Sequence, residues 1–285
     1  MDDFLNFGVQ ALFAGSSAPY DGDFESSFAK TIEGVQSASI SVSYPRSEQF
    51  GWDGGGNIEM VERPQVGMDF SYIFSSGINE ENLGLLVDGT SSALTNMNEE
   101  RNYYLVANEA HQDMNSYRGW DNKVLALGNG VLTSYSFSAG VGQTSVVSAS
   151  VQGLNLLIQN SGSGQLLPSI VKQGGTAWTG IYTLPFPSGT IQNYASAAPG
   201  SIILTFDTGS ALGAVLSGDV SCPLDSFNFN INISRTSVKE LGWAYPDNRP
   251  VQWPVSIGIS ANGYLLPLGS PPCAPMRWPI WSRTS

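Results

Sequence analysis

CPLDSFNFNINISRTSVKELGWAYPDNRPVQWPVSIGISANG, residues Cys222 to Gly263, is the stretch from which the fold can be read. Between Phe227 and Ser234, apolar Phe227, Phe229, Ile231 and Ile233 alternate with Asn228, Asn230, Asn232 and Ser234. A period of two is the signature of a strand with one buried face. After the turn-rich segment SRTSVKELGWAYPDNRP, Trp253, Val255, Ile257 and Ile259 alternate with Gln252, Pro254, Ser256, Gly258 and Ser260. A returning strand is therefore expected, and the pair reads as a long two-stranded arm.

The same order appears near the start, in SASISVSYPRSEQFGWDGGGNIEMVERPQVGMDFSYIFSSG, residues 37 to 77. Ile40, Val42, Gly51 and Trp52 precede Ile231, Ile233, Gly242 and Trp243 by 191 residues, and Arg63-Pro64 and Arg249-Pro250 follow each Gly-Trp. Val66, Met68, Phe70 and Tyr72 keep phase with Trp253, Val255, Ile257 and Ile259 at a spacing of 187. This shared order predicts an internal duplication, with two β domains over 37–165 and 166–268. An N-terminal arm (1–36) and a Pro/Trp-rich C-terminal arm (269–285) flank them.

Composition narrows the class. The chain has 285 residues, enough for a sizeable core. Only 13% are charged while 41% are hydrophobic, which is the balance of a folded chain rather than a disordered one. A formal net charge of -12 opposes binding to nucleic acid or to anionic membranes. No window holds the roughly 20 apolar residues of a membrane helix, and MDDFLNFGVQALFAG lacks the basic start of an export signal. A soluble protein made in a cytoplasm is expected.

Along the chain, residues 1–36 suggest one or two short helices, the first capped by Asp2 or Asp3 and the second through Phe24 to Ile32. INEENLGLL suggests a helix capped by Asn79, with Glu80 and Glu81 in its first turn. Asn102–Asn108 reads as a strand, followed by an exposed loop over 111–123. Thr133, Tyr135, Phe137, Ala139 and Val141, then Val147, Ala149 and Val151, form a third hairpin with a Ser-rich polar face. The Gly/Ser/Pro-rich stretch 159–180 is the expected domain boundary, and Ser201–Asp207 a further strand.

Catalytic or metal chemistry is not expected. The single histidine, His111, lies in a loop near Glu109 and Asp113 with no second ligand. The pairs Glu80-Glu81 and Glu99-Glu100 are explained by solvation, and DGGGN (53–57) is a hairpin tip lacking phosphate-loop spacing. Cys222 and Cys273 give no disulfide framework, and the sequon Asn232-Ile233-Ser234 needs an export route the sequence does not suggest. No enzyme activity, cofactor or metal is expected.

SISVSYPRSEQFG with VERPQVGMDFSYIFSSGINEENLGLL, GNGVLTSYSFSAGVGQTSVVSASVQGLNL, and FNFNINISRTSVKELG with RPVQWPVSIGISANG together resemble the tail tube (major tail) proteins of tailed bacteriophages. The resemblance covers most of residues 35 to 265 and implies a mainly β protein, a β-sandwich or half-barrel with long hairpins and short flanking helices. It further implies self-assembly into stacked rings that form a hollow tube in the virion tail, put together in the host cytoplasm. DNA would pass through the lumen without specific binding. A duplicated subunit would build a pseudo-six-fold ring from three copies, and a single elaborated domain a hexamer. Strand phase nominates Asn228, Asn230, Asn232, Ser134, Ser136 and Ser138 as lumen-facing. Phe4, Leu5, Trp278 and Trp281 are the candidate inter-ring contacts. Two alternatives stand beside this: a baseplate or tail-completion ring protein, and a carbohydrate-binding or adhesin-like β-sandwich using Trp120, Trp178 and Tyr182 as platforms.

Overall fold

In the computed structural model of the chain, the described residues are 10–16, 29–43, 46–50, 56–60, 65–75, 77–85, 100–107, 123–160, 165–170, 181–182, 184, 203–206, 220–239, 245–246 and 248–263. They form strands β1 (Gln10–Ser16), β2 (Ala29–Ile32), β3 (Val35–Ser43), β4 (Arg46–Phe50), β5 (Gly56–Met60) and β6 (Gln65–Ile73). Helix α1 (Ile78–Asn82) follows, then β7 (Arg101–Ala107), β8 (Lys123–Gly140), β9 (Val146–Gly153) and β10 (Asn155–Asn160). Short β11 (Gln165–Leu166), β12 (Ile181–Tyr182) and β13 (Ile203–Phe206) lead to the long β14 (Val220–Asn232) and to β15 (Ser256–Gly263). The protein is mainly β, as expected.

Eleven strands share one sheet, ordered β2-β1-β7-β8-β9-β6-β3, with β10 and β14 also paired to β8 and with β13 and β15 paired to β14. Branching is possible because β8 has 18 residues and its two halves serve different neighbours. Residues 123–130 lie between antiparallel β7 and β10. The halves meet at Gly128-Asn129-Gly130, where the β7 register slips and Asn129 adopts φ 51. A bulge with a left-handed residue bends a strand and increases its twist. Asn tolerates that backbone better than other non-glycine residues.

Two compact units divide the chain, interleaved in sequence. The first contains 1–136, 146–194 and 230–257, and the second 137–145, 195–229 and 258–285. The expected division at 165/166 falls within the stretch 146–194 of the first unit.

Within the first unit the core is built by strict alternation. Val66, Met68, Phe70 and Tyr72 on β6 and Val147, Ala149 and Val151 on β9 are all buried to 3% exposure or less. Phe70 stacks on Tyr72 and meets Tyr103 of β7, each at a centroid distance of 6.2 Å, so the apolar face of β6 packs across onto β7. Each buried Val, Met or Phe among them stabilises the fold by about 1.5–3 kcal/mol relative to exposure.

Several sequence expectations are corrected. Of the short helices expected in the N-terminal arm, the first, capped by Asp2 or Asp3, lies outside the described residues, and the second is not formed at 29–32, which is β2; residues 10–16 are β1. Ala11–Leu12–Phe13–Ala14 is an unbroken apolar run, which suits a strand covered on both faces, and all four residues are buried. Asn79 is not the cap of α1; Gly77 is, with φ 77. Asn79 instead turns inward, accepting from the Glu33 N–H and donating to the Glu33 carbonyl, both at 2.9 Å. The loop of the first hairpin contains β4 and β5 as a hairpin of its own. In the second returning segment, Trp253, Ile257 and Ile259 are 67%, 54% and 66% exposed, unlike their counterparts on β6. Periodicity shows that a strand has an apolar face; whether the chain covers it depends on tertiary neighbours.

Candidate functional site

The candidate site lies on the polar faces of the strands. In the first unit, Ile233 N–H donates to the Thr133 carbonyl at 2.7 Å, which sets Asn232 opposite Ser134 and Asn230 opposite Ser136. In the second unit, Val141 N–H donates to the Asp225 carbonyl at 2.9 Å, which sets Ser138 opposite Asn228. Antiparallel pairs between hydrogen-bonded positions bring their side chains close, at Cα separations of about 4.5 Å. The six residues that strand phase nominated thus form three cross-strand Ser/Asn pairs. Asn228, Asn230, Asn232, Ser136 and Ser138 are exposed and Ser134 is half-buried.

Within the first unit the polar surface runs over β9, β6 and β3. Ser136 Oγ donates to the Ser148 carbonyl at 3.4 Å. Ser148 pairs with Ser71, and Ser150 with Asp69. Ser71 and Ser37 share a hydroxyl hydrogen bond at 2.7 Å, and Ser39 faces Asp69 across the ladder. In the second unit, Asn262 Nδ2 donates to Ser226 Oγ at 3.0 Å, carrying the polar face of β14 onto β15. Apart from Asp69, the described residues of this face are uncharged, and β3, β6, β9, β14, β15 and residues 131–140 contain no Lys or Arg.

Two buried polar clusters hold the first unit behind that surface. Glu80 of α1, expected to be solvated, is 5% exposed. Its Oε1 accepts from Tyr72 Oη at 2.6 Å and Tyr135 Oη at 3.0 Å, tying α1 to β6 and β8. Burial first, and the Glu80 carboxylate second, raise both phenols above the ordinary tyrosine range.

The second cluster sits at the bend of β8. Arg249, 4% exposed, donates from Nη2 to Glu100 Oε1 at 3.0 Å and to the Asn129 carbonyl, and from Nη1 to the Gln152 carbonyl at 3.1 Å. Asn129 Nδ2 donates to Glu100 Oε2 at 2.7 Å, and Asn129 Oδ1 accepts from Ile170 N–H at 2.6 Å. Desolvation lowers the Arg249 pKa and Glu100 opposes that shift. Sequence reasoning used Arg249 only as a repeat marker and read Glu100 as solvated. The Gly-Asn-Gly triplet was the available signal for the bend.

No group of three or more His, Cys, Asp or Glu among the described residues is placed to hold a metal. No described helix is long and apolar enough to cross a membrane. Phe4, Leu5, Trp278, Trp281, His111, Trp120, Trp178, Cys273 and residues 53–55 of the expected hairpin tip lie outside the described residues. Cys222 falls within β14 and Tyr182 within β12.

No family model matches the chain, and no curated protein matches it. Among solved structures, it is similar to a chain of an extracellular contractile injection system, the PVC sheath-tube complex in its extended state. That match has 11% identity over 56% of this chain and 94% of the other, with a TM-score of 0.37. The tube-terminating cap of the anti-feeding prophage matches at 12% identity over 52% and 87% of the two chains, with a TM-score of 0.36. A chain of the native gene transfer agent virion matches at 10% identity over 52% and 94%, with a TM-score of 0.32. The structural neighbours are thus components of injection-system and gene-transfer-agent particles.

Proposed function

We propose that this chain is a structural protein of a phage-type tail, whose copies close into rings that stack as a hollow tube with the Ser/Asn face lining the lumen. The observation that carries this reading is the asymmetry of the sheet in the first unit. One face, on β6 and β9, is buried apolar packing. The other presents small hydroxyl and amide groups across β3, β6, β9, β8 and β14, with Asp69 as its one charge.

Such a face suits the passage of DNA. It stays wet, contains no Lys or Arg to neutralise phosphates, and its acidic group together with a net charge of -12 repels them. The two buried clusters add rigidity, fixing the bend of β8 and the docking of α1 so that the face keeps its shape. The unequal burial of the returning strands favours six single copies over three copies of a duplicated subunit, because quasi-equivalent domains would bury equivalent positions.

Electron microscopy of the purified protein with mass by light scattering tests this. Rings or tubes with a central hole are expected, with a ring mass of six subunits. Isolated rings that never stack would favour a tail-completion part. A monodisperse monomer at high concentration would overturn the assembly.

A further inference from the structure

We infer that Asn129-Gly130, at the bend of β8, is a self-modification site held in check by the fold: once the bend opens, the Asn129 amide is lost by cyclisation onto the Gly130 nitrogen. The inference goes beyond the ring reading and does not depend on it.

The sequence contains two Asn-Gly dipeptides, Asn129-Gly130 and Asn262-Gly263. Asparagine is thermolabile, and most so before glycine, which has no Cβ to keep the preceding side chain from its nitrogen. The Gly130 nitrogen attacks Asn129 Cγ, the Cγ–Nδ2 bond breaks, and the amide nitrogen leaves as ammonia, taking the proton that Gly130 gives up. Water then opens the succinimide ring at either carbonyl, which leaves aspartate or isoaspartate. Water is the only co-reactant.

The two sites have opposite surroundings. Asn262, in the second unit, is exposed, and its Nδ2 donates to Ser226 Oγ at 3.0 Å. Asn129, in the first unit, is buried, and four different residues engage its four polar groups. Its N–H donates to Asn102 Oδ1 at 3.1 Å and its carbonyl accepts from Arg249 Nη2. Its Nδ2 donates to Glu100 Oε2 at 2.7 Å and its Oδ1 accepts from Ile170 N–H at 2.6 Å. For Cγ to reach the Gly130 nitrogen, both side-chain bonds must break. The space is filled as well. A Cβ on Gly128 would stand 2.0 Å from the Pro168 carbonyl oxygen, which Asn155 Nδ2 holds at 3.0 Å. A Cβ on Gly130 would meet Leu127 and Tyr103 at 2.7 and 2.8 Å.

Conversion is one-way. Aspartate at 129 replaces the Nδ2 donor with a carboxylate oxygen facing Glu100, and two carboxylates in hydrogen-bond range repel. Isoaspartate adds a methylene to the backbone at the bend. Either product undoes the clamp from which the strand carrying Ser134, Ser136 and Ser138 departs, so a chain that has opened long enough to react does not regain it.

The test incubates the full chain in mildly alkaline buffer and follows both sites by peptide mass spectrometry that resolves aspartate from isoaspartate. In the folded chain Asn262 should convert while Asn129 lags by on the order of a hundredfold, and in unfolding urea the two should convert at similar rates. Arg249→Met, checked for folding by circular dichroism, should quicken conversion at Asn129 by about tenfold and leave Asn262 unchanged. Sub-denaturing urea on the unmodified chain gives the same readout without a substitution: conversion at Asn129 should rise in step with hydrogen exchange of residues 129–131, and conversion at Asn262 should stay level. Asn129→Asp should lower the unfolding midpoint more than Asn262→Asp does. The inference is overturned by an Asn129 that converts as fast as Asn262 in the folded chain, or that survives unfolding urea intact. It is equally overturned if conversion at Asn129 responds to neither Arg249→Met nor sub-denaturing urea, and equal midpoints for the two aspartate variants would overturn the loss of the clamp.

Discussion

Replacing Arg249 by methionine keeps most of the side-chain stem and removes the guanidinium, so it isolates the charge at the bend of β8. The Glu100 side chain is 8% exposed and loses its counter-charge, while the Asn129 and Gln152 carbonyls each lose a donor. Breaking a buried ion pair by deleting one partner costs about 3–5 kcal/mol. That is a large share of the roughly 5–15 kcal/mol that stabilises a domain. At about 2–4 °C per kcal/mol for a chain of this size class, the melting temperature should fall by roughly 10 °C. Adding Glu100→Gln removes the stranded charge and keeps an acceptor for Asn129 Nδ2, so the double variant should regain about half of the loss. Urea unfolding of unassembled protein measures both, with the slope against denaturant unchanged. A single variant within about 1 kcal/mol of the unmodified chain would refute the account, as would a double variant no more stable than the single.

Tyr72 and Tyr135 keep their protons in the fold above the ordinary tyrosine value of about 10. Their raised folded pKa values therefore contribute stability that is fully present below that value and is lost progressively as pH rises above it toward the folded values. The loss should approach about 1.4 kcal/mol per pH unit for each phenol, read from urea midpoints between neutral and alkaline pH. Glu80→Ala removes the acceptor both phenols share and should cost about 2–3 kcal/mol, with Glu80→Gln costing clearly less in the same assay. Gly128→Ala places a Cβ against the Pro168 carbonyl and should destabilise by about 3 kcal/mol, whereas Gly142→Ala has open space and a cost of about 1 kcal/mol from its φ of 75. Paired thermal melts check the difference. Asn230→Lys lies on the exposed face and should change monomer stability by no more than about 0.5 kcal/mol. In assembled tubes it should make the lumen retain DNA, with retention falling steeply as salt rises.

Much of the β architecture was legible because it is local. Phe227–Ile233 against Asn228–Asn232, and Val66–Tyr72 in the returning strand, display the period of two, and a strand with one covered face follows from pleating alone. Strand β1 was not anticipated because Ala11–Ala14 has no alternation, and a short apolar run does not separate a buried strand from a helical turn. Glu80 and Glu100 were misplaced for another reason. A charged side chain is solvated by default, and only its partners, 55 residues away for Tyr135 and 149 for Arg249, make its burial affordable.

By itself, the sequence determined the mainly β class, the phase of the hairpins, and the small polar residues on one side of each strand, since these depend on neighbours one or two positions along the chain. Tertiary structure alone decided that Ser134, Ser136 and Ser138 meet Asn232, Asn230 and Asn228 across a ladder, that β8 bends at Asn129 around a buried ion pair, and that Ile257 and Ile259 are left uncovered. Each of these depends on which strand lies beside which. That choice is made by packing between segments distant in sequence, and local periodicity carries no record of it.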